Sequence, residues 1–114
     1  MSKLVEVAAL QLEQNDPNAI RRAAWLTRSA LEETIETLLA AKHMETGTST
    51  SARAKLSCLE AVYRDSEPHT ASRAQYAWSR LSEACHQHAY ELSPTYSEVK
   101  HLIEIVRGLT ASTD

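Results

Sequence analysis

The chain has 114 residues, with 12 Lys and Arg against 15 Asp and Glu and a formal net charge of -3. This acidic balance argues against a general nucleic-acid binder, whose surface is strongly basic. Only two glycines, three prolines and no phenylalanine are present, a composition that favours helices and excludes most strand-rich folds. We therefore expect one all-α domain over residues 1–114, an antiparallel bundle of about five helices.

Two helices are predicted in the first part of the chain. A short one covers about residues 3–14. Asp16 and Pro17 then open a long one over about residues 17–44, because Asp is a good N-cap and Pro suits a first helical turn. The long helix has an apolar stripe at helical spacing, formed by Ile20, Ala24, Leu31, Ile35 and Leu38.

Trp25 and Leu26 lie off this stripe. More than about 100° of helix surface separates them from it, so they need the first helix or a partner chain to cover them. We therefore take Trp25 and Leu26 as candidate interface residues.

Three more helices are predicted after a loop of small hydroxyl residues at 45–50. They cover about residues 51–64, 68–92 and 93–107. Gly108 is expected to stop the last helix, and residues 110–114 are expected to form a disordered tail.

The fourth predicted helix has two different faces. Its core stripe consists of Ala74, Ala77, Trp78, Leu81, Ala84, Cys85, His88 and Leu92. The other face carries Tyr76, Glu83, His86 and Tyr90, with Arg80 at its margin. Tyr and Arg are enriched at interfaces, so this face is interpreted as a self-association surface. The alternative is that the fifth helix packs over part of it.

The string from Arg80 to Tyr90, R-L-S-E-A-C-H-Q-H-A-Y, resembles the motif of the HEPN superfamily, an Arg followed a few residues later by a His on a late helix. Arg80 and His86 fit that spacing. The resemblance implies a helical bundle that forms a homodimer and cleaves RNA without metal, in a bacterial toxin-antitoxin or defence system.

The string departs from the family pattern in two places. Leu81 replaces the polar residue that usually follows the Arg. The Tyr that often stands two places after the His is found as Tyr90 after His88, and the residue five before His88 is Glu83 rather than an Arg. Either His86 or His88 is therefore the motif histidine, and in the second case an inactive family member is expected.

Cleavage of RNA without metal needs a group that transfers protons and a cation beside the phosphate. Histidine titrates near neutral pH, and the arginine fork matches phosphate geometry. The resemblance implies these roles for His86 and Arg80, with Tyr90 orienting the phosphate or the histidine. His88 is a second candidate, although a His in an apolar stripe is more often a buried core residue. On one helix Arg80 and His86 diverge by about 120°, so two chains would have to combine their residues.

The competing hypothesis is a non-catalytic adaptor. Such a bundle would dock on a partner protein, for example an antitoxin, through the Tyr76 face or the Trp25 patch. A DNA-binding regulator is disfavoured because no helix-turn-helix with basic recognition residues is present.

No cofactor or metal site is expected. Cys85, His86 and His88 lack the i,i+4 spacing that places ligands on one helix face. Cys58 and Cys85 do not form a dense disulfide pattern and are expected to be buried thiols. With no long apolar segment either, we expect no membrane association and a cytoplasmic location.

Overall fold

The computed structural model describes residues 3–16, 18–44, 50–85 and 94–111. These ranges contain helices α1 Leu4–Leu12, α2 Ala19–Ala41, α3 Ala52–Tyr63, α4 Pro68–Cys85 and α5 Tyr96–Ala111, and no strand. The predicted all-α bundle of five helices is confirmed. No helix within these ranges has the length and apolar character needed to cross a membrane.

Helix α2 is the centre of the bundle. It contacts each of the other four helices, and α1, α5, α4 and α3 follow one another around it. Its predicted stripe is buried at Ala24, Leu31, Ile35 and Leu38, and Ile20 is half-buried against the same core. Removing this apolar surface from water is the main force that holds the bundle together.

The N-termini of α2 and α3 are capped in different ways. Ser51 caps α3, because its hydroxyl accepts a hydrogen bond from the Ala54 N–H at 3.1 Å. At α2, Asn18 rather than Asp16 occupies the N-cap position. The Asp16 carboxylate instead accepts from the Asn18 N–H at 2.8 Å and pairs with Arg22 at 3.1 Å. Asp16 therefore stabilises the entry to α2 from outside the helix.

The predicted end of α5 is wrong. The helix continues through Gly108 to Ala111, and Leu109 and Thr110 are buried. Burial of these two side chains offsets the cost of a glycine inside a helix, which is about 1 kcal/mol. The predicted tail therefore begins too early, and residues 112–114 lie outside the described ranges.

Side-chain contacts show that α1 and α5 run antiparallel. Arg107 near the end of α5 binds both carboxylate oxygens of Glu6 in α1, at 2.9 and 3.1 Å. At the other end, the Tyr96 hydroxyl donates to the Glu13 carboxylate. These two contacts fix the register of the first helix against the fifth.

Candidate functional site

Arg80 lies in the last two turns of described α4, with its side chain 46% exposed. Its guanidinium nitrogens lie 3.3 Å from a Glu83 oxygen and 3.6 Å from a Glu98 oxygen. Both carboxylates are themselves well exposed, and exposed ion pairs contribute only about 0–1 kcal/mol. Arg80 can therefore exchange these carboxylates for another anion at small cost.

Helix α5 borders the Arg80 face of α4. Tyr76, which is 50% exposed, meets the His101 ring edge-on, with ring centroids 6.4 Å apart. Together with the contact between Arg80 and Glu98, this places α4 and α5 antiparallel. The alternative, in which the fifth helix packs over part of this face of α4, therefore holds along the edge of the face that carries Tyr76 and Arg80. We call Tyr76, Arg80, Glu83, Glu98 and His101 the Arg80 patch.

His101 is a member of the patch that sequence reasoning missed. The only local signal is its i,i+3 spacing from Glu98, which places both residues on one face of α5. The contact between His101 and Tyr76 joins two different helices, so the spacing of residues within one helix could not predict it. Within the described ranges, the patch thus combines an arginine, a histidine and a tyrosine, the residue types expected for cleavage of RNA without metal.

Three predicted catalytic residues, His86, His88 and Tyr90, lie outside the described residues. Their assignment stays a prediction. The described part of α4 ends at Cys85, which is half-buried. Burial raises the pKa of the Cys85 thiol, while the positive charges of Arg28 and Arg21 oppose that rise. Two arginines of α2 therefore lie close to the point where α4 leads into the segment with the motif histidines.

The two predicted interface residues of α2 have different environments. Trp25 is 45% exposed, whereas Leu26 is half-buried and packs on the core, so the chain itself covers most of Leu26. Trp25 lies beside Arg28, whose guanidinium carbon is 5.8 Å from the Trp25 ring and 4.5 Å from the Trp78 ring. Trp25 therefore lies where α2 meets α4, whereas Tyr76 lies where α4 meets α5. The two exposed aromatic residues do not form one surface.

No protein-family model, curated protein or solved structure matches this chain. Among the residues that the structure describes, no three His, Cys, Asp or Glu side chains are grouped so that they could hold a metal ion. The candidate functional surfaces of the described ranges are therefore the Arg80 patch and the aromatic residues around Arg28.

Proposed function

We propose that this chain is a HEPN-like protein that acts on RNA as a homodimer in the bacterial cytoplasm, in a toxin-antitoxin or defence system. The observation that carries the proposal is the position of Arg80. Its guanidinium is half-exposed on the last described turns of α4, six positions before His86, and within the described ranges only exposed carboxylates bind it. A phosphate can replace those carboxylates.

In this proposal Arg80 binds the scissile phosphate and stabilises the charge that builds on it. His86 moves the proton of the attacking 2′-OH or of the leaving oxygen, and Tyr90 orients one of them. His101 in the Arg80 patch is a second source of an imidazole. Two chains supply the site jointly, and the exposed Tyr76 and Glu83 that flank Arg80 belong to the contact surface.

The test is cleavage of a mixed RNA substrate in the presence of a chelator. We expect wild type to cleave. His86→Ala should lose roughly 10²- to 10⁴-fold in rate, the usual contribution of one acid-base group, and Arg80→Ala roughly 10²- to 10³-fold, the usual contribution of one group that stabilises transition-state charge. Arg64→Ala is the matched control, because it removes the same charge from the exposed end of α3. Chromatography verifies that each variant keeps the oligomeric state of wild type. Full cleavage by Arg80→Ala, or no cleavage by wild type, would contradict the proposal.

The adaptor remains a second candidate, favoured by the exposure of Trp25 and Tyr76. Large exposed aromatic side chains are typical anchors of protein interfaces. Its test is whether a partner protein co-purifies with the tagged full chain. An adaptor would keep its complex in Arg80→Ala and His86→Ala but lose it in Trp25→Ala or Tyr90→Ala.

A further inference from the structure

A polar groove separates α3 from α4 on a side of the bundle that the Arg80 patch does not include. It encloses about 230 Å³ and is lined by Arg53, Leu56, Ser57, Gln75, Trp78 and Ser79. We call it the Trp78 groove. Its volume is below the range of about 300–1,000 Å³ that is usual for sites that enclose a whole small molecule. The groove therefore suits one flat group of a longer ligand.

The charge of the Trp78 groove differs from that of the Arg80 patch. Arg53 is exposed, and within the described ranges no carboxylate pairs with it, whereas Arg80 and Arg107 each bind two glutamates. No acidic residue lines the groove. An anion that reaches Arg53 therefore displaces no carboxylate.

Trp78 supplies an aromatic surface that is held in place. The Arg28 guanidinium lies over the Trp78 ring at 4.5 Å, which restricts rotation of the indole. A guanidinium covers one face of a ring, and the indole of Trp78 also contributes to the groove wall. A fixed indole beside a cation is the arrangement on which nucleobases stack.

Three neutral side chains complete the groove. The Gln75 amide and the Ser57 and Ser79 hydroxyls each offer donors and acceptors, and all three residues are exposed. They line the same groove as the indole of Trp78. They can therefore hydrogen-bond to the edge of a base, in the way that single-stranded RNA is read.

We propose that the Trp78 groove binds one nucleotide of a single-stranded RNA, with the base stacked on Trp78 and a phosphate bound by Arg53. The choice of RNA rests on the proposed function. The groove holds a nucleotide away from the cleaved bond and so selects which strand reaches Arg80.

The first test is fluorescence of Trp25→Phe, a variant in which Trp78 is the only tryptophan of the chain. A short 2′-O-methyl oligonucleotide is the probe, because it lacks the 2′-OH nucleophile and cannot be cleaved by the proposed chemistry. Stacking of a base on Trp78 should quench the emission in a saturable way. The reciprocal variant Trp78→Phe, which keeps only Trp25, should show little quenching. Quenching of Trp25 alone would overturn the proposal.

The second test is the affinity of the full chain for the same probe. Trp78→Leu should weaken binding by roughly 5- to 150-fold, the range for loss of one base-aromatic stack. Arg53→Ala should lower the slope of log affinity against log salt by about 0.7, as expected for one phosphate contact on a single strand. Gln75→Ala changes an exposed residue and should weaken binding without loss of folding.

Arg64→Glu is the control for Arg53→Glu, since both residues lie in exposed positions at opposite ends of α3. An equal loss of probe binding in these two variants would overturn the proposal that the groove binds a nucleotide, because it would indicate only a general effect of charge. Loss of binding in Arg53→Glu but not in Arg64→Glu supports the groove, even if wild type proves unable to cleave RNA. Loss of probe binding in Arg80→Ala with no effect of Arg53→Glu would overturn the proposal that the groove binds a nucleotide, and would leave the proposed function standing.

Discussion

The hydroxyl oxygens of Thr34 and Thr110 lie 3.0 Å apart inside the bundle, where α2 meets the end of α5. Each hydroxyl also lies within bonding distance of a carbonyl in its own helix, Ala30 for Thr34 and Val106 for Thr110. A hydroxyl has one proton, so the pair uses two of these three contacts at a time. The end of α5 is thereby tied to the central helix by a polar contact in an apolar core.

Removal of one hydroxyl should destabilise the bundle modestly. Thr34→Val and Thr110→Val each keep the side-chain shape and lose the bond between helices, so we expect a loss of about 0.5–1.5 kcal/mol in the free energy of unfolding. The double variant should lose less than the sum, because the hydroxyls interact with each other. Urea unfolding of the four proteins measures the coupling. Strict additivity would show that the contact contributes nothing.

Gly108→Ala should stabilise the protein. Gly108 lies inside α5, and alanine is favoured over glycine in a helix by about 0.5–1 kcal/mol. A Cβ atom at this position would lie 2.8 Å from Nη2 of Arg73, the flexible end of an exposed side chain that can move aside. Thermal unfolding tests this. If the Arg73 side chain cannot move, Gly108→Ala should lower the stability, and the double variant Arg73→Ala/Gly108→Ala should restore it. A loss of stability in both variants would contradict the placement of Gly108 inside the helix.

Tyr63 should make stability depend on pH in the alkaline range. Its hydroxyl donates to the Leu38 carbonyl at 2.8 Å, and burial, with a smaller effect of Glu67, raises the pKa of Tyr63. The folded state therefore holds this proton more tightly than the unfolded state. The contribution of this raised pKa to the free energy of unfolding is complete below the ordinary tyrosine pKa of about 10. It is lost as the pH rises through the higher pKa of Tyr63 in the folded state.

Tyr63→Phe is the matching variant. It should lose about 1–3 kcal/mol at neutral pH, because the buried Leu38 carbonyl is left without its donor. Above pH 10 its stability should fall less steeply than that of wild type. The exposed Tyr96, whose pKa is raised by the Glu13 carboxylate, leaves some slope in both proteins. Parallel curves for the two proteins would refute the role of Tyr63.

Cys85 should react slowly with thiol reagents in the folded protein. Burial raises the pKa of its thiol, so less of the reactive thiolate is present at neutral pH than for a free cysteine. In a Cys58→Ser background, the rate of modification should rise steeply above the ordinary thiol pKa and should approach the free-thiol rate on unfolding. Arg21→Ala should slow the reaction further, since the charge of Arg21 opposes the rise in pKa. An unchanged or faster rate in Arg21→Ala would contradict this electrostatic account.

Local patterns predicted those features whose causes are local. The apolar stripe of α2, with Leu31 and Ile35 at its centre, is buried as predicted, because helical spacing depends on neighbouring residues. The end of α5 was predicted wrongly, since burial of Thr110 against α2 is a tertiary effect that outweighs the signal of Gly108. The contact of His101 with Tyr76 joins positions far apart in sequence, so spacing could not reveal it.

The pair between Glu6 and Arg107 joins residues 101 positions apart in the chain. During synthesis, α1 can pair with α2 as soon as both have left the ribosome, but its second neighbour, α5, is the last of the described helices to emerge. Long-range contacts of this kind form late and set the pace of folding. The nascent protein should therefore expose the α5 side of α1 until α5 arrives, and this interval is when a chaperone would find its binding surface.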